Sequence, residues 1–582
     1  MNLTATIANS LWSASNIPAL IRFRRALHQP AKTQMQLLRD YLAKNAGCAY
    51  GKMHGFSEIK NYEEFAHRVP LNGYDDLKPW IERIMRGENQ MLTAEPVTHL
   101  IPTSGSSGSC KLIPFTAGLQ REFSNAIGPW VAGLYSHHPA IALGAAYWSI
   151  SPALQIQNVE PSAVPIGFED DSSYLGGTKK RLVNAVMAVP SELRLISSME
   201  QFRYLTLLCL LREPGLRLIS IWHPSFLTLL LDALPADWEN LLDDIQSGQC
   251  RFANLLPPMV LRALALRPIP HRTIELKKAN PENPETIWPQ LKVISCWGDA
   301  HAGYGVAELQ RRFPHVLIQP KGLIATEAIV TIPFSGVRPL AVCSHFFEFV
   351  DSQGLIHLAH ELQKNEIYEV VVTTGAGLWR YRLKDQVQVT DLIGNTPSLQ
   401  FVGRSQNISD RYGEKLAEGF VAQCIQEAMT YLAIRPRFVL LAPDEDYLGC
   451  RYTLYVEGEI HRDLAPRLET ILCKNPQYDW CRKLGQLNPV SLFQIKSGGY
   501  DVFVDRELLQ GKRLGEIKPC SISTQTGWSH FFPGNYLISD DTPSYCKRTD
   551  GVSQQTFKDA AGIPTGIAFD ISQQIKLRHS KL

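Results

Sequence analysis

A change in residue pattern at Ala341 constrains the fold of this chain more than any other feature of the sequence. Before it, residues 31–90 and 181–270 carry mostly helical spacing of apolar residues, as does TAGLQREFSNAIGPWVAGLY, which begins with Thr116 as a candidate cap. LKVISCWGDA (291–300) predicts a buried strand that ends in a loop. After it, FFEFVDSQGLIHLAHEL is typical of two strands joined by an Asp-Ser-Gln-Gly turn. YEVVVTTGAGLWRYRLKDQVQVTDLIG predicts two more strands, broken at 375–377. The chain is therefore expected to combine a mixed α/β region with a β-rich subdomain.

A second change follows at 401–416 (FVGRSQNISDRYGEKL), where Gly, Asn and Asp interrupt the strands. The remainder predicts a compact α+β unit with an amphipathic helix, strands at RFVLLAP and CRYTLYVEG, and two further helices near 462–473 and from 476. SGGYDVFVD is interpreted as another strand. We place the boundary so that 1–405 forms a large N-terminal domain and 406–582 a small C-terminal one. Domains usually hold roughly 100–200 residues, so 582 residues need at least two.

Composition excludes several classes of protein. A net charge of +2 argues against a nucleic-acid binder with a basic face. The 12 cysteines form no C-x-x-C pair, which indicates buried thiols in a reducing, cytoplasmic setting. The N-terminus shows no signal-peptide pattern, and the apolar runs at 204–211 and 226–234 are too short to cross a bilayer, which needs about 20 residues. We expect a monomer without membrane or nucleic-acid partners.

The stretch TSGSSGSCKLIP (103–114) is the strongest candidate for a binding loop. Gly105 and Gly108 permit close backbone approach, while backbone amides and hydroxyls can surround phosphate oxygens. The hydroxyl residues are Thr103, Ser104, Ser106 and Ser107, and Lys111 adds a compact positive charge. A flexible Gly/Ser linker is the alternative, although the flanking segments VTHLIP and KLIPF are apolar. No G-K-[ST] closes the loop, so it is not a Walker A motif.

TSGSSGSCK resembles the phosphate loop of the adenylate-forming superfamily (acyl-CoA synthetases, nonribosomal adenylation domains and luciferases), with Cys110 in place of the usual proline. Three downstream segments follow in the order of that superfamily. GLIATEA (322–328) is similar to its Thr-Glu motif, which implies that Thr326 contacts phosphate and Glu327 holds magnesium. GLWRYRLKDQVQV (377–389) resembles the segment whose aspartate accepts hydrogen bonds from the ribose hydroxyls, which implies this role for Asp385. Lys384 stands where glycine is usual in that segment.

The third segment, FVGRSQNISDRYGEKL, resembles the hinge between the two domains. The resemblance implies a hinge near 404–410, with Arg404 at the end of the large domain and Lys415 reaching the nucleotide. Standing alone, Glu327 would be interpreted as an exposed strand-end residue and Asp385 as part of a hairpin turn.

Several further segments are similar to one branch, the Gretchen Hagen family of acyl-acid–amido synthetases, in its bacterial form. They include SFLTLLLDAL, YEVVVTTGAGLWRYRL, NPQYDWCR and GKRLGEIKP. The resemblance implies a large adenylate-forming domain with a β-barrel-like subdomain and a mobile small domain. It also implies ATP and Mg²⁺ as cofactors, a small carboxylic acid and an amino acid or other amine as substrates, and Lys518 as the lysine that enters the site for adenylation.

The resemblance also implies where the substrates bind. It places Trp297 and Gly298, in CWGDA, near the adenine. The acyl pocket is expected in the large domain, lined by apolar and aromatic side chains. Its candidates, each of which could equally be a core residue, are Tyr147, Trp148, Trp222, His223 and Phe226.

Two rival functions remain open at this stage. An acyl-CoA or carrier-protein ligase shares the adenylation half-reaction, so the phosphate-loop residues do not distinguish it. A non-catalytic nucleotide-binding or scaffold protein would fit the departures at Cys110 and Lys384. The joint presence of Lys111, Glu327, Asp385 and Lys518 argues against the scaffold.

Overall fold

The computed structural model describes residues 3–104, 110–149, 162–167, 177–196, 198–299, 302–404, 408–446, 449–509, 517 and 520–537. The chain divides into a compact unit, Met1–Leu537, and a second, Ile538–Leu582, and every described residue belongs to the first. The boundary predicted at 405/406 lies inside the first unit and stays a prediction. No described helix combines the length and apolar character needed to cross a membrane.

The N-terminal part is helical, as the spacing predicts, and leads into a hairpin. Its helices are α1 (Leu3–Ala26), α2 (Pro30–Asn45), α3 (Ala49–Met53), α4 (Tyr62–Arg68) and α5 (Tyr74–Met85). Strands β1 (His99–Ser104) and β2 (Cys110–Phe115) pair antiparallel, and α6 (Ala117–His137) follows. The predicted cap of α6 is confirmed, because the Thr116 side chain accepts a hydrogen bond from the Leu119 amide.

A parallel sheet with helical connections forms the centre of the large region. Its strands, in spatial order, are β3 (Ala145–Trp148), β4 (Leu216–Ser220), β5 (Val293–Cys296) and β6 (Leu317–Pro320). Sequence analysis found β5 but missed β4, which lies between two long helices. The helices are α7 (Gly177–Asn184), α8 (Met199–Arg212), α9 (Pro224–Ser247), α10 (Pro258–Leu264), α11 (Pro270–Leu276), α12 (Pro284–Ile287) and α13 (Ala302–Arg312).

The predicted β-rich subdomain is an antiparallel sheet in the order β11-β10-β9-β7-β8. Its strands are β7 (Phe346–Val350), β8 (Ile356–Leu358), β9 (Ile367–Thr373), β10 (Tyr381–Ile393) and β11 (Thr396–Arg404). The expected break between β9 and β10 is present. Gly377 there has φ +90°, and an added Cβ would lie 2.5 Å from the Leu92 Cβ, so both conformation and space require glycine.

The C-terminal part builds a second mixed sheet, in the order β14-β15-β16-β17, beside a short β12–β13 pair. Its elements are β12 (Ile408–Ser409), β13 (Leu416–Ala417), α14 (Glu418–Tyr431), β14 (Phe438–Asp446), β15 (Gly449–Glu457), α15 (Leu464–Leu472), α16 (Pro476–Lys483), β16 (Asn488–Ile495), α17 (Gly499–Leu509) and β17 (Gly534–Leu537). The strand predicted at SGGYDVFVD is wrong, because these residues open α17. The buried residues of α17 are spaced as on one face of a helix, at Phe503, Val504 and Glu507. Burial of this face outweighs the alternation of apolar and polar residues in the sequence.

A buried ion pair ties the N-terminal helices to the antiparallel sheet. Arg380 (2% exposed) donates from Nε and Nη2 to the Glu348 carboxylate (1% exposed) at 2.8–3.1 Å. Its Nη1 donates to the carbonyl oxygens of Ala66 and Val69, at 2.8 and 2.7 Å. The Tyr62 hydroxyl donates to Glu348 as well. The pair therefore links helix α4 and the residue after it to strand β7 and to the residue before β10.

We expect Glu348→Ala to lower the free energy of unfolding by about 3–5 kcal/mol, because the Arg380 charge would stay buried without its partner. Asp391→Ala is the matched control, since its pair with Lys364 is exposed on both sides and such pairs contribute about 0–1 kcal/mol. Urea transition midpoints of the three proteins give the comparison. Equal shifts for both variants would contradict the role of the buried pair.

Candidate functional site

The proposed phosphate loop connects two paired strands. Thr103 lies opposite Lys111 and Ser104 opposite Cys110 in the β1–β2 ladder. Gly105, Ser106, Ser107 and Gly108 lie outside the described residues, as do the side chains of Thr103 and Ser104. The segment thus joins the strands of one hairpin, which is not the position of an interdomain linker.

Lys111 is held at the start of α5. Its ammonium lies 5.7 Å from the centroid of the Tyr74 ring, and the Tyr74 hydroxyl accepts a hydrogen bond of 2.9 Å from the Leu112 amide. The hairpin and the helix therefore fix the position of the lysine together, through a cation–π contact and a backbone hydrogen bond.

Asp385 and Arg404 face each other across β10 and β11. The Arg404 Nε donates to the Asp385 carboxylate at 3.2 Å, and Asp385 is 5% exposed. The Asp385 carboxylate, together with those of Glu418 and Glu327, raises the pKa of Arg404, although burial acts in the opposite direction. Arg404 therefore stays charged, and its hydrogen bond uses one of the two Asp385 carboxylate oxygens.

Glu327, of the Thr-Glu motif, lies near the pair of Asp385 and Arg404. The residue is half-buried, as is Thr326 before it. Burial raises the pKa of the Glu327 carboxyl, and the Asp385 carboxylate adds to this, whereas the charges of Lys111 and Arg404 oppose it. Lys111, Asp385 and Arg404 therefore all lie within electrostatic range of Glu327.

A β-bulge positions Asp385. The register between β9 and β10 shifts between Arg382 and Gln386, and Lys384 within this bulge has φ +66°. Lysine therefore adopts the left-handed conformation for which glycine would be preferred, at a cost in backbone strain. Where the family pattern has glycine, this chain therefore has a lysine in a conformation typical of glycine.

The residues expected near adenine follow β5. Trp297 packs edge to face on Phe401, with centroids 5.4 Å apart. A Cβ on Gly298 would lie 2.9 Å from the Pro320 Cβ, so the close approach of two strand ends requires glycine. Sequence analysis gave no role to Asp299, which is 3% exposed and accepts hydrogen bonds from the Phe401 amide at 3.2 Å and from Arg338. Burial raises the pKa of its carboxyl.

The five acyl-pocket candidates occupy different environments. Tyr147 is fully buried in the apolar core, Trp148 packs on Trp12 at 5.4 Å, and Phe226 lies 6.4 Å from Phe202. His223 stacks on Tyr500, with rings almost parallel and centroids 5.9 Å apart. Trp222 differs from them because it is 46% exposed at the end of β4.

The segment predicted as a hinge is organised by a residue that the sequence did not indicate. Glu414 is fully buried and accepts hydrogen bonds from the Arg411 and Tyr412 amides and from the Tyr452 hydroxyl. Lys415 beside it is exposed, with φ +45°. Lys518 lies outside the described residues, so its position remains a prediction.

The fold is similar to that of a solved amide-forming enzyme. The structure titled AtGH3.15 acyl acid amido synthetase in complex with 2,4-DB matches with a TM-score of 0.77 at 19% identity, covering 88% of this chain and 95% of that one. Models of the GH3 family match as the N-terminal domain at 19–318, the central domain at 339–404 and the C-terminal domain at 420–526. The chain belongs to the GH3 family, and the resemblance found in the sequence is confirmed.

Curated relatives are distant but match at nearly full length. Indole-3-acetic acid-amido synthetase GH3.3 of Arabidopsis thaliana is 23% identical over 530 residues, which cover 83% of this chain and 88% of the relative. Jasmonoyl--L-amino acid synthetase GH3.5 of Oryza sativa subsp. japonica is 23% identical, with 85% and 93% covered. The similarity therefore includes all three matched domains.

We expect Lys384→Gly to be more stable than Lys384→Ala by about 1 kcal/mol, because only glycine adopts positive φ without strain. Both variants remove the lysine side chain, so the comparison isolates the backbone. The same pair of substitutions at Lys364, which lacks a positive φ, serves as control and should not favour glycine. Alanine equal to or better than glycine at 384 in thermal melts would contradict the strain.

Proposed function

We propose that this protein is an ATP-dependent acyl-acid–amido synthetase. It adenylates a small carboxylic acid with release of pyrophosphate, and then transfers the acyl group to an amine, expected to be an amino acid. The observation that carries the proposal is the convergence of Lys111, Glu327, Asp385 and Arg404 in a chain of the GH3 family. Relatives named for amido synthesis with indole-3-acetate and jasmonate support the reaction class.

In the first half-reaction, a carboxylate oxygen of the acid forms a bond to the α-phosphorus of ATP, and the bond to the pyrophosphate oxygen breaks. The residues contribute position and charge more than covalent chemistry. Lys111 and the loop 103–108 would hold phosphate oxygens, with Thr326 beside them. Asp385 would accept hydrogen bonds from the ribose hydroxyls with the oxygen that Arg404 does not use.

The carboxyl of Glu327 fits a magnesium ion, because hard oxygen ligands suit that cation and burial leaves this carboxylate in need of positive charge. When bound with the triphosphate, magnesium would neutralise part of its charge. The charges of Lys111 and Arg404 both act on this carboxyl, which supports a site that the phosphate hairpin and the ribose pair share.

In the second half-reaction, the amine nitrogen attacks the acyl carbon, the carbon–oxygen bond to AMP breaks, and the nitrogen loses a proton. We propose that the domain 406–582 rotates about 404–410 between the two steps, bringing Lys518 in for adenylation and withdrawing it afterwards. The central-domain match ends at 404 and the C-terminal match begins at 420, which supports a boundary in this interval.

We expect the enzyme to act as a cytoplasmic monomer on small molecules. The relatives use different acids, and the pocket candidates of this chain lie in dissimilar environments. The acid and the amine are therefore to be identified by assay.

The test is carboxylate-dependent ATP–pyrophosphate exchange over a panel of aryl-acetic, benzoic, jasmonic and medium-chain fatty acids. The acid with the highest exchange rate is then combined with ATP and either coenzyme A or each amino acid. We expect an amide and AMP. A coenzyme A thioester without amide would replace the proposal with an acyl-CoA ligase, and no exchange with any acid would favour a non-catalytic nucleotide-binding protein.

We expect Asp385→Asn to raise the KM for ATP by about tenfold to a hundredfold, because a hydrogen bond to a charged group contributes roughly 1.5–3 kcal/mol. Asp391→Asn is the control, since Asp391 lies on the same strand but is exposed. Pyrophosphate exchange at varied ATP gives both values. An unchanged KM in Asp385→Asn would remove this residue from the ribose site.

A further inference from the structure

Lys321, directly after β6, is a buried lysine to which the mechanism above gives no role. Its side chain is 6% exposed, and lysine is almost never fully buried without a partner. The ammonium lies 4.9 Å from the centroid of the Trp222 ring. Among the described residues, no hydrogen bond or ion pair involves this ammonium. The Trp222 ring is therefore a cation–π partner of this ammonium, and no carboxylate of the described residues pairs with it.

The position of Lys321 in the sheet is that of a ligand-binding residue. Strands β4, β5 and β6 are parallel neighbours, and Trp222, Trp297 and Lys321 follow their carboxyl ends within one or two residues. The Lys321 amide donates to the Cys296 carbonyl at 2.7 Å, and the Trp297 amide donates to the Trp222 carbonyl at 2.9 Å. Ligands of open α/β sheets bind outside the carboxyl ends of such strands.

Among the residues that the structure describes, no acidic side chain balances the charge of Lys321. Burial lowers the pKa of Lys321 to about 7, and the titratable group that affects it is the Cys296 thiol. Burial raises the pKa of that thiol to about 12, so it carries no charge at neutral pH. A ligand that brings a negative oxygen would supply the missing partner, and the Trp222 indole beside it offers an apolar surface.

We propose that Lys321 binds the carboxylate of the acid substrate at the carboxyl edge of the parallel sheet, with Trp222 as an apolar wall. This assignment rests on the proposed function. A phosphate group of ATP would offer the same kind of negative oxygen. However, the positive charges that we propose for the nucleotide site are those of Lys111 and Arg404. The surroundings of Lys321, an indole and a buried thiol, suit an acid with an apolar body.

A direct consequence is proton uptake. At pH 8, above the pKa of about 7, most free enzyme carries a neutral Lys321. A carboxylate beside it favours the charged form, so the binding of the acid takes up a proton. Calorimetric titration with the acid, in buffers of different ionisation enthalpy, measures the number of protons that the unmodified protein takes up on binding. We expect close to one proton at pH 8 and fewer at pH 6.

The variants are Lys321→Met, which keeps the length and removes the charge, and Lys321→Arg, which keeps the charge. Lys292→Met is the matched control, because Lys292 is exposed at the opposite end of the same sheet, before β5. Pyrophosphate exchange is measured with the acid of highest rate in the panel above. We expect Lys321→Met to raise the KM for this acid about tenfold to a hundredfold.

The KM for ATP should stay within about twofold in Lys321→Met, and proton uptake at pH 8 should vanish. Lys321→Arg should retain most of the affinity for the acid, and Lys292→Met should behave like the wild type. Loss of an unpaired buried charge should not lower the melting temperature, which is measured alongside.

Each other result overturns the assignment. An increase in the KM for ATP without one for the acid would make Lys321 a phosphate ligand. Unchanged KM values, or a parallel loss of both with a lowered melting temperature, would make it a structural residue. Wild-type enzyme without acid-dependent exchange would instead refute the proposed function, and the assignment with it, before any variant is compared.

Discussion

The buried pair of Arg380 and Glu348 is the interaction on which the candidate site depends. Arg380 satisfies carbonyl oxygens of the N-terminal helices while it binds a carboxylate of the antiparallel sheet. It lies one residue before β10, and β10 carries Asp385. The ion pair therefore fixes where this strand begins relative to the helical region, and with it the register of the bulge that positions Asp385.

From that start, the site follows from strand geometry. The β10–β11 ladder places Arg404 opposite Asp385, and Phe401 on the same strand contacts both Trp297 and Asp299. The antiparallel sheet thereby meets the carboxyl edge of the parallel sheet, where Lys321 and Trp222 lie. The candidate nucleotide residues and the proposed acid site therefore share one supporting framework, and backbone pairing rather than flexible side chains sets the distance between them.

Much of the fold could be predicted from the sequence, because its elements have clear periodicity and its turns carry glycine. Helix α6 and strands β7 to β10 are examples. The strand predicted at SGGYDVFVD was wrong because the alternating pattern of the sequence competes with burial of one helix face. That face includes Phe503, Val504 and Glu507, and its burial depends on packing that the sequence does not show. The candidate nucleotide residues were predicted through motifs. Lys321 and Glu414 were not, since a single lysine or glutamate gives no local signal that it will be buried.

The stacked rings of His223 and Tyr500 join the end of the parallel sheet to helix α17. His223 directly follows Trp222, which covers Lys321, and Tyr500 lies in the first turn of α17. A movement of helix α17 would therefore displace the residue next to the wall of the proposed acid site. In the proposed reaction, departure of the small domain after adenylation would loosen that wall when the acyl carbon must become accessible to the amine. One aromatic contact would then couple domain position to substrate access.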